Sequence, residues 1–263
     1  MEISLNLIAL LFLVAFIAGF IDAIAGGGGL ITIPALLMTG ISPAMALGTN
    51  KLQACGGSFS ASFYFLRKRA VDLKEIWLLV LMTFIGAVLG TILIQLVDSA
   101  LIKKVIPFLV LAIGLYFLFT PNLGDEDRHK RISYATFAFS AGFGIGFYDG
   151  FFGPGTGSLL SLAFVTLLGF NLAKATAHAK VLNFTSNIAA LLLFLIGGQI
   201  WWEAGLVMML GQIIGANLGA KMVLSKGKQL IRPMVVIMSF IMTAKMAYDQ
   251  GWFGSLRFYD TTK

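Results

Sequence analysis

Long uncharged apolar runs, separated by short polar or glycine-rich breaks, organise this chain. They fall at about 5–24, 30–39, 45–66, 76–96, 105–120, 133–152, 158–169, 175–197, 203–222 and 231–248. A run of about twenty such residues crosses ~30 Å of hydrocarbon as a helix. The pattern predicts an all-α polytopic membrane protein with about eight spanning helices. Runs 30–39 and 158–169 are too short, since each would extend only ~15–18 Å as helix. Each follows a glycine-rich break, as half of a broken helix or a re-entrant hairpin does.

The clearly polar connector, 121–131 with Asp125, Glu126, Asp127, Arg128, Lys130 and Arg131, divides the chain near its middle. The two sides resemble each other. Ala18-Gly19-Phe20-Ile21-Asp22 lines up with Ile145-Gly146-Phe147-Tyr148-Asp149 at an offset of 127, and Lys51 matches Lys180 at 129. The expected domains are a first membrane repeat over 1–120, a cytoplasmic linker over 121–132 and a second membrane repeat over 133–263. Each repeat holds a glycine-broken short helix and about three to four spanning helices.

Charge sets the relation between the halves. Arg67, Lys68, Arg69 and Lys74 follow the third run of half one, whereas half two has no basic residue in the matching loop. The next connector reverses the bias, with Lys221, Lys226, Lys228 and Arg232 in half two. Basic loops stay inside, so the same structural loop faces opposite sides in the two halves. The repeats are expected to be inverted, with both termini outside.

Composition narrows the functional classes. The chain is 58% hydrophobic and 12% charged, with a mean hydropathy of +0.90. That excludes soluble enzymes and DNA-binding domains. The net charge of +7 reflects basic clusters flanking apolar runs, so no nucleic acid partner is expected. Cys55 is the single cysteine, which leaves no disulfide or Cys-based metal cluster to build. No cofactor or metal is expected. The start, Met1-Glu2-Ile3-Ser4-Leu5, lacks a basic n-region and argues against a cleavable signal peptide. Lys245 and Asp249 are expected to pair at an interface, and Trp77, Trp201, Trp202 and Trp252 to form aromatic belts.

Candidate chemistry clusters at the matched positions. Asp22 and Asp149 stand where an ionised carboxylate costs several kcal/mol unless paired, solvated or protonated. Each is a candidate for ion coupling and, equally, a cap for the following short helix. Gly26-Gly27-Gly28-Gly29 and Gly153-Pro154-Gly155-Thr156-Gly157 would unwind a helix and aim amides at an anion, or else allow close helix packing. Lys51 and Lys180 suit an anionic substrate, although a lysine at a helix end also snorkels to the interface. His178 is a candidate proton carrier or a structural donor. Thr49, Asn50, Gln53 and Asn183 supply neutral donors, with Ser58, Ser186 and Asn187 nearby.

Residues 18–34 (Ala18-Gly-Phe-Ile-Asp-Ala-Ile-Ala-Gly-Gly-Gly-Gly-Leu-Ile-Thr-Ile-Pro34), 44–51 (Ala44-Met-Ala-Leu-Gly-Thr-Asn-Lys51) and 146–155 (Gly146-Phe-Tyr-Asp-Gly-Phe-Phe-Gly-Pro-Gly155) resemble the TauE/SafE family of sulfite-exporter-like permeases. Within it the chain looks like the small bacterial YfcA-type branch. The resemblance implies a multi-pass permease of the bacterial inner membrane, moving sulfur-containing anions such as sulfite, thiosulfate or organosulfonates. The residues support a secondary transporter in which Lys51, Lys180 and the glycine-break amides hold the anion, Asp22 or Asp149 couples protons or sodium, and the halves rock. No catalytic residue is expected. A passive anion channel shares every residue with this reading. An intramembrane aspartyl protease would use the two aspartates, but no Gly-x-Gly-Asp accompanies either. Oligomeric state stays open, a homodimer included.

Overall fold

The computed structural model describes residues 5–96, 124–153 and 155–249, with Phe108, Leu111, Ala112, Leu115, Tyr116, Leu118 and Phe119. Most of the run expected at 105–120 lies outside the described residues, as do Asp98, Lys103, Lys104, Pro154, Trp252, Arg257, Lys263, the connector residues 121–123 and the Asp249 side chain.

Among the described residues every regular element is helical. Half one has α1 (Leu5–Ala25), α2 (Gly29–Leu37), α3 (Pro43–Arg67) and α4 (Leu73–Ile94). Half two opens with α5, built from Tyr134–Phe137, a π-helical stretch Ala138–Gly142 and Phe143–Phe151. It continues with α6 (Thr156–Leu168), α7 (Leu172–Ile196), α8 (Trp202–Lys226) and α9 (Lys228–Asp249). Four of them, α1, α4, α7 and α8, are long and apolar enough to cross a membrane. The α3 helix has 25 residues, ample length for a crossing, but its apolar character is diluted by the polar residues it buries. The two short runs form short helices, α2 of 9 residues and α6 of 13.

Local chemistry sets the boundaries. Ser42 caps α3 by accepting the Met45 N–H, and Pro43 occupies the first turn, where a missing N–H costs nothing. Asn171 caps α7 by accepting the Lys174 N–H. The α1 helix stops at Ala25 because Gly26 and Gly27 take φ of +75° and +96°, the left-handed region that costs other residues most. Residues 124–131 are pinned beneath α6 and α7. The Arg128 N–H donates to the Gly169 carbonyl (2.6 Å), the Arg131 N–H to Leu167 (2.9 Å), and the Leu172 N–H to Gly124 (2.8 Å).

Helix packing crosses between the halves. The α1 helix lies chiefly on α8, α4 on α5, and α3 and α7 form a central pair flanked by α8 and α4 respectively. Small residues make these contacts close. Gly211, Gly215 and Gly219 of α8 sit under the backbone of Phe12, Phe16 and Phe20, while Gly86 and Gly90 of α4 sit under Phe143 and Phe147. The two seams match. Phe16 and Phe143 are 127 apart, and Gly215 and Gly86 are 129 apart.

The molecule is apolar outside and polar within. Leu10, Leu13 and Ile17 line the open face of α1 at 44–56% exposure. Thr49, Asn50, Lys51 and Gln53 of α3, with Thr176, His178, Lys180 and Asn183 of α7, are all buried. Lipid tails solvate the first set without cost, and most of the second set finds hydrogen-bond partners within the protein, Gln53 Oε1 and the Thr176 hydroxyl having none among the described residues.

Candidate functional site

The two glycine breaks meet at the centre. A Cβ on Gly26 would lie 2.6 Å from the Ser158 nitrogen and 2.8 Å from the Gly157 Cα. The Ser158 hydroxyl donates to the Ala25 carbonyl and ties the start of α6 to the end of α1. Gly26→Ala therefore combines a clash with left-handed strain and is expected to cost about 2 kcal/mol or more. Gly40→Ala, at φ +85° with nothing within 4 Å, is the control. It should cost about 1 kcal/mol. Thermal unfolding in detergent compares the two.

Around this crossing the matched charges pair across the halves. Lys51 Nζ donates to Asp149 Oδ1 (3.2 Å), the Asp149 carbonyl (2.9 Å) and Asn187 Oδ1 (3.2 Å), using all three of its N–H bonds. Its side chain is 6% exposed and that of Asp149 3%. Lys180 Nζ donates to Asp22 Oδ2 at 2.8 Å, with the Lys180 side chain 1% exposed and that of Asp22 20%. Each lysine thus finds the aspartate of the opposite half. Neither lysine snorkels. The desolvation of each ammonium is offset by a carboxylate in contact.

Each aspartate also holds its own glycine break. Asp22 Oδ1 accepts the Gly28 N–H at 3.0 Å, just ahead of α2. Asp149 Oδ1 accepts the Thr156 hydroxyl at 2.9 Å, at the first residue of α6. Neither short helix has a side-chain cap at its N-cap residue, Gly28 or Gly155, so in place of the expected capping each carboxylate ties one residue beside its break while it pairs with a lysine. Their proton-sharing with one another, which aspartyl proteolysis needs, is replaced here by two separate lysine contacts.

A small polar cavity of about 30 Å³ lies between the pairs, room for one or two waters. Asp22, Gly27, Gly28, Gly29, Asn50, Lys51, Asp149, Gly153, Thr156 and Asn183 of the sequence-derived set line it. Gly26, Thr49, Gln53, Gly155, His178 and Lys180 do not. Thr49 accepts the Trp201 N–H (2.9 Å) at the start of α8. Gln53 Nε2 donates to Asn50 Oδ1 (2.8 Å), which also accepts the Thr32 hydroxyl (2.6 Å). His178 packs against the Phe164 and Phe170 rings, with Nδ1 2.8 Å from the Lys174 carbonyl.

Two further polar side chains in the wall are Asn187, named in the sequence among the neutral donors, and Gln212, which stands outside the sequence-derived set. Asn187 is the third acceptor of Lys51. Gln212 is 3% exposed, with its Oε1 against Gly19 and Gly57. Its signal in the sequence is an uncharged polar side chain alone within an otherwise apolar stretch of α8.

An apolar exterior enclosing paired charges and a polar cavity defines a membrane-embedded helical protein. The chain belongs to the TauE/SafE family: the family described as "Sulfite exporter TauE/SafE" matches residues 11–246. It is 71% identical over 253 residues to a "Probable membrane transporter protein" of Haemophilus influenzae, covering 96% of this chain and 99% of the relative. It is 58% identical over 247 residues to "Probable membrane transporter protein YfcA" of Escherichia coli K12, covering 94% and 92%. At 24% identity over 258 residues it also matches "Probable membrane transporter protein YunE" of Bacillus subtilis, covering 89% and 93%.

Proposed function

We propose that the protein is a secondary transporter of small anions, sulfur oxyanions or organosulfonates, in the bacterial inner membrane, working by alternating access between two inverted repeats. The observation that carries this is the crossed pairing of Lys51 with Asp149 and Lys180 with Asp22 at the meeting point of two glycine breaks. An anion entering the cavity there meets the desolvated Lys51 ammonium in its wall and the Asp22 carboxylate that holds Lys180, together with amides at the starts of α2 and α6. Asp22 or Asp149 releases and recaptures its lysine as the anion comes and goes, which makes that carboxylate the coupling group for protons or sodium. Rocking of one unit, 1–120, against the other, 133–263, about the linker 121–132 has to slide the close seams of α1 on α8 and α4 on α5, which join the two units. About eight crossings, with both termini outside, fit the basic loops.

Proteoliposome flux tests the reading. Wild-type protein is expected to accumulate labelled sulfite or taurine against its gradient when a proton or sodium gradient is imposed. Lys180→Met should abolish that uptake and Lys245→Met should leave it intact. Flux that only equilibrates the anion would indicate the channel reading, and equal loss in both variants would count against the lysine site.

A further inference from the structure

The two lysine–aspartate pairs match in sequence but differ in their bonding. Both oxygens of Asp22 are occupied, Oδ1 by the Gly28 N–H and Oδ2 by Lys180. Asp149 places Lys51 and Thr156 on Oδ1 alone, and its buried Oδ2 has no hydrogen-bond partner among the described residues. A carboxylate oxygen shut away from water without a donor is costly. Asp149 lines the cavity, as does Lys51.

We infer that Asp149 is the proton-binding group of the transport cycle, that it competes with the substrate anion for the Lys51 ammonium, and that Asp22 has a structural role. This rests on the anion-transport reading above and assigns its coupling ion. When Oδ2 takes a proton from water, the Asp149 side chain loses its charge and Lys51 loses its counter-ion. A substrate oxyanion then replaces the carboxylate at Lys51 Nζ, and one proton travels with one anion. Loss of the proton restores the Lys51–Asp149 pair and expels the anion.

A sodium ion fits this place poorly. Lys51 holds Oδ1 at 3.2 Å, and a second cation on the same carboxylate would face its charge directly. The charged and titratable groups around Asp149 are few. Lys51 and Cys55 face it from α3, Tyr148 adjoins it on α5, and Asp22 of α1, paired with Lys180, shares the cavity wall. Thr156 of α6 and Asn187 of α7 are uncharged, and α4 presents the Ala87 backbone and Thr91, which donates to Gly150.

Two readings of the purified protein test the inference, one of them independent of any anion. Infrared difference spectra recorded from about pH 8 to about pH 5 should show the C=O stretch of a protonated carboxyl growing on acidification. That band should be absent from Asp149→Asn and present in Asp22→Asn. Its persistence in Asp149→Asn would overturn the assignment. Calorimetric titration with sulfate and with thiosulfate, both fully ionised over this range, supplies the second reading. Wild-type affinity should rise as pH falls, approaching tenfold per pH unit with one proton taken up per anion at the alkaline end, and level off where the infrared band shows the carboxyl already protonated. Asp149→Asn should bind with pH-independent affinity, whereas Asp22→Asn should keep the slope. Anion binding to the wild type without proton uptake would overturn the coupling even if Asp149→Asn failed to fold. If neither anion binds the wild type, the sulfur-oxyanion reading fails and the infrared band alone decides the proton site.

Discussion

Lys51→Met is expected to cost about 3–5 kcal/mol of stability, because it strands a buried carboxylate that has no other cationic partner in reach. Asp149 is 2% exposed, and its remaining listener is the Thr156 hydroxyl, which cannot neutralise a charge. Asn187 would lose its contact with the ammonium at the same time. The double variant Lys51→Met/Asp149→Leu removes both charges and should recover most of the loss, since an apolar pair of similar size often matches or exceeds a buried ion pair. Chemical or thermal unfolding of the four proteins closes a double-mutant cycle with a large coupling energy. Additive single effects would show that the pair contributes nothing as a pair. The Lys180–Asp22 cycle should give a smaller coupling, because the Asp22 side chain is 20% exposed and therefore partly screened.

The second large effect lies in the glycine seams. A Cβ on Gly215 would meet the Phe16 carbonyl, and one on Gly90 the Phe147 carbonyl, in both cases inside any ordinary contact distance. The obstruction is backbone and cannot swing aside, so the helices must separate. Gly215→Ala and Gly90→Ala are each expected to cost about 1–3 kcal/mol. The double variant should lose a sharp, monodisperse elution profile in detergent. Gly144→Ala, on an exposed face of α5 with nothing within 4 Å, supplies the control. It should be neutral or stabilising by up to about 1 kcal/mol through helix propensity. Equal behaviour of Gly144→Ala and Gly90→Ala would contradict close packing at the seams.

Much of the site was legible because duplication wrote it twice. The offset of 127 marked Asp22 and Asp149, the offset of 129 marked Lys51 and Lys180, and the glycine clusters marked where helices must break. The partner of each lysine was not legible. Sequence matching pairs equivalent residues, whereas the contacts join Lys51 to Asp149 and Lys180 to Asp22, a crossing that only the packing of α3 and α7 against the breaks decides. Gln212 was missed because an amide in an apolar stretch has no periodic signature, and because its matched position in half one is Thr83, which donates instead to the Gly142 carbonyl. His178 shows the opposite case. Its residue type suggested proton chemistry, yet two phenylalanine rings and a backbone carbonyl claim the imidazole. The apolar runs placed the helices to within about four residues, and the starts set by Ser42 and Asn171 lie ahead of the runs read from 45 and 175 because a polar first turn carries no apolar signal. The π-helical stretch of α5 was not, because its extra residue depends on tertiary contact with Thr83 of α4.

The central claim is that an anion is held by lysines shared between the halves. Thermal stabilisation of the detergent-purified protein across sulfite, sulfate, thiosulfate, taurine, sulfoacetate and small carboxylates tests it most directly. Lys51→Met, Lys180→Met and Lys245→Met should be run beside it, each against its own ligand-free baseline. The account predicts stabilisation by one sulfur anion, lost in Lys51→Met and Lys180→Met and kept in Lys245→Met. Stabilisation that survives in both Lys51→Met and Lys180→Met, or that no anion produces in the wild type, would contradict it.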